Sequence, residues 1–378
     1  MKLFEYEGSE LFRREGIPVP QYELASSVKE AGEKAKIIGL PVVVKAQVLT
    51  GGRWLAGGVK TAESVEDVEK TAGNILGASI RGHFVRQVMI APKIESVKEY
   101  YVGVTIDDFN GTPFVILSAE GGVSINEIAT NRPEAVVTRS VSISEGLLNS
   151  TAKQMCHEIG LTGRELVQVS AVMVDLYTVF RKYDALVAEI NPLVETVDGN
   201  LMALDAKVEI DDSSLFRHTD LNLSPDNRIS SPLETKGKQI GVTYVELDGD
   251  IGVIASGAGL GMASIDIISR KLKPANFLET GGAITDELLY KVMDLVLQKP
   301  GIRALFINVY GGINPIHEGA KGVVKYLKEH DIKLPIVAKA LGNRQEETWE
   351  IFRSGGVHVV TEVSTEKAVD KLVELLGA

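Results

Sequence analysis

Hydrophobic positions along this chain follow two different patterns, and the change comes after a polar stretch at residues 211–238. In the first part, residues 4–15 read as a helix closed by Gly16, followed by an extended Ile17-Pro18-Val19-Pro20. Ser26 or Ser27 is placed to cap a second helix running to about residue 38. The short apolar run Pro41-Val42-Val43-Val44-Lys45-Ala46, just after Gly39, predicts a buried strand. A glycine-rich loop follows at Gly51-Gly52-Arg53 and Gly57-Gly58. Stretches at 88–91, 100–106 and 113–118 alternate or run apolar and predict an antiparallel sheet. A helical block over about 151–182 then leads to strands near Ala188 and over 201–207.

Residues 211–238 are rich in Asp, Asn, Ser and Pro and hold no sustained period, so they read as a linker or crossing segment. Beyond them strands at 251–255, 304–309, 335–338 and 357–360 alternate with helices near 260–271, 286–297, 315–329, 346–354 and 365–376. Such alternation predicts an α/β fold with a doubly wound parallel sheet. No internal repeat or low-complexity tract interrupts it.

Composition narrows the function classes. At 378 residues the chain suits two or three domains, and 44% apolar with 24% charged residues is the balance of a globular protein. A net charge of -11 argues against a nucleic-acid partner, which needs a basic face, while leaving room for a local phosphate pocket. One cysteine, Cys156, permits no internal disulfide and fits a reducing compartment. The opening residues lack a signal-like apolar core, and no run approaches ~20 apolar residues, so a cytoplasmic protein without a membrane span is expected.

Three motifs can carry chemistry. Lys45 at a strand end, beside Gly51-Gly52-Arg53-Trp54-Leu55-Ala56-Gly57-Gly58, can set an ammonium and backbone amides against a polyphosphate; the bland alternative is a pair of tight turns. The spacing is neither a P-loop nor a dinucleotide fingerprint. Second, Asn191 in Glu189-Ile190-Asn191-Pro192-Leu193-Val194 and Asp205 in Leu204-Asp205-Ala206-Lys207 offer an amide oxygen and a carboxylate on adjacent strands, which suits magnesium; a satisfied buried Asp is the alternative. Third, Ser256-Gly257-Ala258-Gly259, Thr280-Gly281-Gly282-Ala283 and Gly311-Gly312-Ile313-Asn314-Pro315 are glycine loops at strand ends, where open α/β sheets gather ligands. Asn314 and Pro315 fit an N-cap and first helical residue, so a helix with free amides is expected to start there. The histidines show no metal spacing and no nucleophile elbow; His317 alone stands near one of these loops.

Taken in order, Leu3-Phe4-Glu5-Tyr6-Glu7, Lys45-Ala46-Gln47-Val48, Glu120-Gly121-Gly122-Val123, the two runs holding Asn191 and Asp205, Leu215-Phe216-Arg217, Gly257-Ala258-Gly259-Leu260, Pro274-Ala275-Asn276-Phe277-Leu278 and Gly311-Gly312-Ile313 span nearly the whole chain. Together they resemble the β subunit of succinyl-CoA synthetase and its relatives, the NDP-forming acyl-CoA ligases. The resemblance implies an ATP-grasp domain over residues 1–230 and a flavodoxin-like CoA-ligase domain over 231–378. It implies a partner α subunit, in a heterodimer or heterotetramer, that holds most of the CoA site and a phosphorylated histidine. Phosphoryl would pass from ATP or GTP to that histidine and then to a small carboxylic acid, whose acyl phosphate CoA attacks.

Position by position, the resemblance assigns Lys45, Gly52, Arg53, Trp54 and Glu99 to the nucleotide. It assigns Asn191 and Asp205 to Mg2+, Glu189 to the visiting histidine, and Ser256, Gly311, Gly312 and Ile313 to the acid. Several positions depart from the pattern. Trp54-Leu55 replace a Gly-Lys pair, Ala91 and Ile94 stand where adenine-side contacts are usual, Ser256 replaces an Asn, and Pro315-Ile316-His317-Glu318 replace an Arg-Cys-Asp turn. Succinate is the leading acid, with malate, sulfoacetate or a similar acid as the alternative. Two further readings are an ATP-grasp carboxylate–amine ligase, which leaves the second half unexplained, and a nucleotide-binding module without catalysis.

Overall fold

The computed structural model describes residues 1–223, 228, 231–282 and 284–377. They fall into two compact units, Met1–Ser224 and Pro225–Ala378.

The first unit opens with α1 (Glu5–Arg14), β1 (Glu23–Ala25), α2 (Val28–Ile38), β2 (Val42–Ala46), β3 (Val59–Ala62) and α3 (Val65–Ile75). The hairpin β4 (Ser79–Ile80) and β5 (His83–Phe84) precedes β6 (Val88–Pro92), β7 (Ser96–Asp107) and β8 (Thr112–Ser118). Then come α4 (Ile125–Asn131), β9 (Val136–Ser140), α5 (Asn149–Glu158), α6 (Gly163–Lys182), β10 (Ala185–Thr196), β11 (Leu201–Ala203) and β12 (Lys207–Ile210).

Two sheets organise these elements. The smaller has the order β1-β6-β2-β3. Val42, Val44 and Ala46 alternate into its core against Ala31 and Ala35 of α2 and Val68 and Ala72 of α3, whose N-caps are Ser27 and Ser64. The larger sheet, β11-β10-β7-β8-β9 with β12 also on β10, is antiparallel throughout. Val169, Met173, Leu176 and Phe180, at helical spacing on α6, cover it together with Met155 and Cys156 of α5.

β10 is where the regular ladder fails. Ile190 faces Val102 and Leu193 faces Tyr100, so three steps on β10 match two on β7, a bulge centred on Asn191-Pro192. Pro192 has no N–H to give to the ladder. The strand expected over 201–207 is accordingly two strands: β11 pairs with residues 193–195 of β10 and β12 with 185–189. Leu204-Asp205-Ala206 form the break between them, so Asp205 lies at a strand end rather than within a strand.

The polar stretch 211–238 is more ordered than its composition implies. It carries 3-10 turns over Asp212–Arg217 and Thr219–Leu221 and most of α7 (Pro232–Ile240). Ser231 caps that helix by accepting from the N–H groups of Leu233 and Glu234, with Pro232 as its first residue. Residues 224–227, 229 and 230 of the stretch lie outside the described residues.

The second unit continues with β13 (Thr243–Glu246), β14 (Ile251–Ala255), α8 (Ala258–Ser269), β15 (Asn276–Glu279), α9 (Asp286–Leu297) and β16 (Ala304–Gly311). It closes with α10 (His317–Glu329), β17 (Ile336–Gly342), α11 (Gln345–Ser354), β18 (His358–Val360) and α12 (Thr365–Leu376). Its sheet has the order β13-β15-β14-β16-β17-β18, parallel except for the β13 edge. The path leaves β14 toward β15 and returns past it to β16, so the switch point lies between β14 and β16. Strands β13 and β15 are absent from the pattern-based reading because they are short, and because polar Asn276 interrupts the apolar run. Asn276 is nonetheless fully buried: its amide accepts from Val253 N–H at 3.1 Å and donates to Val253 C=O at 2.8 Å.

One helix begins later than expected. α10 starts at His317, not at Pro315, because the Asn314 amide is turned to the Gly282 carbonyl at 2.7 Å instead of capping the helix.

Candidate nucleotide site and strand-end loops

Four charged side chains meet where β2 ends. Lys45 reaches back to α1, its Nζ 2.8 Å from Glu5 Oε1 and 2.5 Å from the Leu204 carbonyl. Arg53 turns inward from the glycine loop, with Nη1 2.6 Å from Glu5 Oε2 and 3.0 Å from the Ala46 carbonyl, and Nη2 2.7 Å from Asp205 Oδ1. The side chain of Glu5 is 2% exposed and that of Asp205 38%, so the cluster opens toward solvent on the aspartate side. Burial opposes ionisation of Glu5, but the Arg53 guanidinium and the Lys45 ammonium together hold its carboxyl below the usual carboxylate range. Burial likewise opposes the charge of Arg53, and the anions of Glu5 and Asp205 hold its pKa above the ordinary value.

The glycine loop is a helical turn pinned from within. Ala56 N–H donates to Gly52 C=O at 3.3 Å, Gly57 to Trp54 at 3.1 Å and Gly58 to Arg53 at 2.8 Å. Gly52 sits at φ 66° and Gly57 at φ 76°, where larger residues are strained. With Arg53 buried, the apex side chains Trp54 and Leu55 project outward, 65% and 84% exposed.

A second group forms on the β10 bulge. Asn191 Oδ1 accepts from Gly122 N–H at 2.8 Å and Nδ2 donates to the Val123 carbonyl at 2.9 Å, clasping the loop after β8 from both sides. Glu99, on β7, abuts the same loop: a methyl group on Gly122 would meet its Oε2 at 2.6 Å. Glu189 accepts from Lys207 Nζ at 2.7 Å across the β10–β12 pair. The phenol of Tyr101 stands beside Glu189, and burial first, then that carboxylate, push its pKa well above the ordinary value.

The sequence-based site residues of this unit therefore lie in two groups. Lys45, Gly52, Arg53 and Asp205 share one, while Glu99, Asn191 and Glu189 lie along β7 and β10. Hard oxygen donors remain for a cation: Asp205 Oδ2 takes no hydrogen bond among the described residues, and Asn191 Oδ1 keeps a second lone pair. Among the described residues no three His, Cys, Asp or Glu side chains converge as a metal-binding group, so solvent or phosphate oxygens must complete the shell. Glu5 and Tyr101 were not singled out from the sequence; only their distance in space, not in sequence, reveals them.

In the second unit the strand-end loops are tied to one another. Ser256 Oγ accepts from Tyr310 N–H at 2.9 Å, across the β14–β16 switch point. Asn343 N–H donates to Gly311 C=O at 2.9 Å, and its side chain to Ile313 C=O at 3.1 Å. Gly342, at φ 103°, comes so near that a methyl group there would lie 2.1 Å from the Gly311 carbonyl. Ile313 stands free at 97% exposure. His317 is buried, its Nε2 2.9 Å from Arg344 Nη1 and 2.8 Å from Glu318 Oε1.

Comparison with known proteins gives these groups a family. Residues 2–195 match the model of an ATP-grasp domain, and residues 254–373 that of a CoA-ligase. The β subunit of GDP-forming succinate–CoA ligase from Thermus thermophilus is 39% identical over 375 residues, covering 99% of each chain. The chain belongs to the succinate–CoA ligase β-subunit family. An ADP-forming β subunit of that family, from Methanothermobacter thermautotrophicus, is 38% identical over 375 residues, again with 99% of each chain covered. A structure of ATP citrate lyase from Methanothrix soehngenii has a TM-score of 0.78 over 99% of both chains at 19% identity, a likeness of fold. The ligase class and the order of ATP-grasp domain before CoA-ligase domain are thus as the sequence motifs implied. Among the described residues no helix is long and apolar enough to cross a membrane.

Proposed function

We propose that this chain is the nucleotide-binding subunit of an NDP-forming acid–CoA ligase acting with an α subunit. The observation that carries the reading is the cluster of Lys45, Arg53, Glu5 and Asp205 under the glycine loop. Lys45 and Arg53, fixed in place by Glu5, line the floor of the turn that takes the phosphates of ATP or GTP, and Glu99 holds the nucleotide from β7. Asn191 and Asp205 hold Mg2+, which when bound offsets phosphate charge. Glu189, with its side chain 16% exposed, offers an anion to the partner's histidine, favouring a protonated or hydrogen-bonded imidazole as phosphoryl arrives. Ser256 and the Gly311-Gly312-Ile313 loop receive the acid, while CoA is held mainly by the partner.

Succinate is the acid named in the relatives. A hydroxylated or sulfonated small acid is the second reading, favoured by Ser256 Oγ being turned to Tyr310 N–H and by the buried His317–Arg344 contact beside the loop. The test is to co-purify the full-length chain with the product of its genomic neighbour and measure CoA-dependent ADP or GDP formation over a panel of acids. Turnover with succinate supports the first reading. Turnover only with another acid supports the second, and none with any acid removes both.

A further inference from the structure

The hairpin β4–β5 brings a cation to the glycine loop that no motif announces. Arg81 occupies the hairpin tip in the left-handed region, φ 49°, followed by Gly82 at φ 85°. Its guanidinium lies flat against Gly52: a methyl group there would meet Nη2, Cζ and Nη1 at 2.9, 3.0 and 3.1 Å. The absence of a side chain at Gly52 is what admits it.

The charge balance around the loop makes this contact consequential. Lys45 and Arg53 are both engaged by Glu5, and Arg53 also by Asp205, so two cations and two anions leave the cluster with no net charge. Leu55, at the exposed apex of the turn, contributes none. Arg81 is exposed and has no acid partner among the described residues. A nucleoside triphosphate approaching this turn therefore meets Arg81 as an uncompensated cation against Gly52, and a guanidinium's planar fork matches phosphate oxygens in pairs.

We propose that Arg81 is a phosphate-contacting residue of the nucleotide site, supplying from the hairpin the positive charge that the glycine loop lacks at Leu55. The proposal rests on the nucleotide reading of the first unit and adds a residue to it.

Isothermal titration of the full-length chain with Mg-ATP, Mg-GTP and adenosine tests it. Arg81→Gln is expected to weaken binding of the preferred triphosphate about tenfold or more while leaving adenosine unchanged, and to flatten the salt dependence. Leu55→Lys in the same chain is expected to recover most of the loss. Arg81→Gln binding the triphosphate as tightly as the unaltered chain overturns the proposal, as does an equal loss for adenosine or failure of Leu55→Lys to restore binding. Should Arg81→Gln not fold, Leu55→Lys alone must tighten triphosphate binding, and an unchanged affinity overturns the proposal. An unaltered chain that binds neither triphosphate removes the nucleotide reading itself, a result distinct from any of these.

Discussion

Asn191 and Asp205 flank a single backbone hydrogen bond, the Leu204 N–H to Pro192 C=O contact at 3.0 Å. The bulge on the β7 side of β10 and the strand break on its other side thus set Asn191 and Asp205 on either side of that bond, while their side chains turn to different partners, the loop after β8 and Arg53. Asp205→Ala is expected to lower phosphorylation of the partner subunit about a hundredfold or more, since Arg53 loses a partner and, on the proposed reading, so does Mg2+. Radiolabelled phosphoryl transfer checks this; near-normal transfer removes Asp205 as a ligand. Asn191→Ala also releases the loop after β8, and amide exchange at Gly122 should speed up on its own timescale.

Glu5 joins α1 to the site through two cations, the buried Arg53 and the partly buried Lys45. Glu5→Gln leaves Lys45 and Arg53 short of their counter-charge and should cost about 3 kcal/mol or more of stability, read by urea unfolding. The pH dependence has a definite sign. A carboxyl held low in the folded chain contributes stability that is fully present above its unfolded pKa and is lost as pH falls through the lower folded value. The unaltered chain should therefore lose stability in acid more steeply than Glu5→Gln; parallel curves would show that another group governs the acid limb.

Trp54 provides an optical reporter. The chain's other tryptophan, Trp349, is partly buried and donates its indole N–H to the Ala340 carbonyl at 2.6 Å, whereas Trp54 is largely in solvent. In a Trp349→Phe background, Mg-ATP is expected to shift Trp54 emission to the blue as the loop apex closes over the nucleotide. Emission that stays at the solvent value at saturating nucleotide places the apex away from it.

In the second unit, Asn276→Ala removes two buried hydrogen bonds at once and strands the Val253 N–H and C=O. A loss of about 2–4 kcal/mol is expected in thermal or denaturant unfolding, with Asn276→Asp also destabilising because a carboxylate cannot donate to the carbonyl.

These residues show why the chain was only partly legible. Strong local patterns gave α1, α2, β2 and the alternating strands and helices of the second unit, since each follows from periodicity over a few neighbours. The split of β11 from β12 depends on what lies across the sheet, a proline on β10, and so left no mark in residues 201–207 themselves. Lys45 and Arg53 were visible because one ends a strand just before a glycine loop and the other sits within that loop. Neither Glu5 nor Arg81 lies near that loop in sequence, and only folding brings each to it.

Asn276 also explains why a short sequence run can matter more than its length suggests. β14 and β15 share one paired position, Ala255 with Glu279, and beyond it the Asn276 side chain imitates a peptide group against Val253. A rung built from a side chain cannot be copied by the next residue, so the two strands fit like a key in its keyway. Sliding β15 by one position would turn the amide to the opposite face and leave Val253 unmatched. The point at which Thr280-Gly281 emerges at the end of β15 is thus set by a fully buried residue four positions earlier.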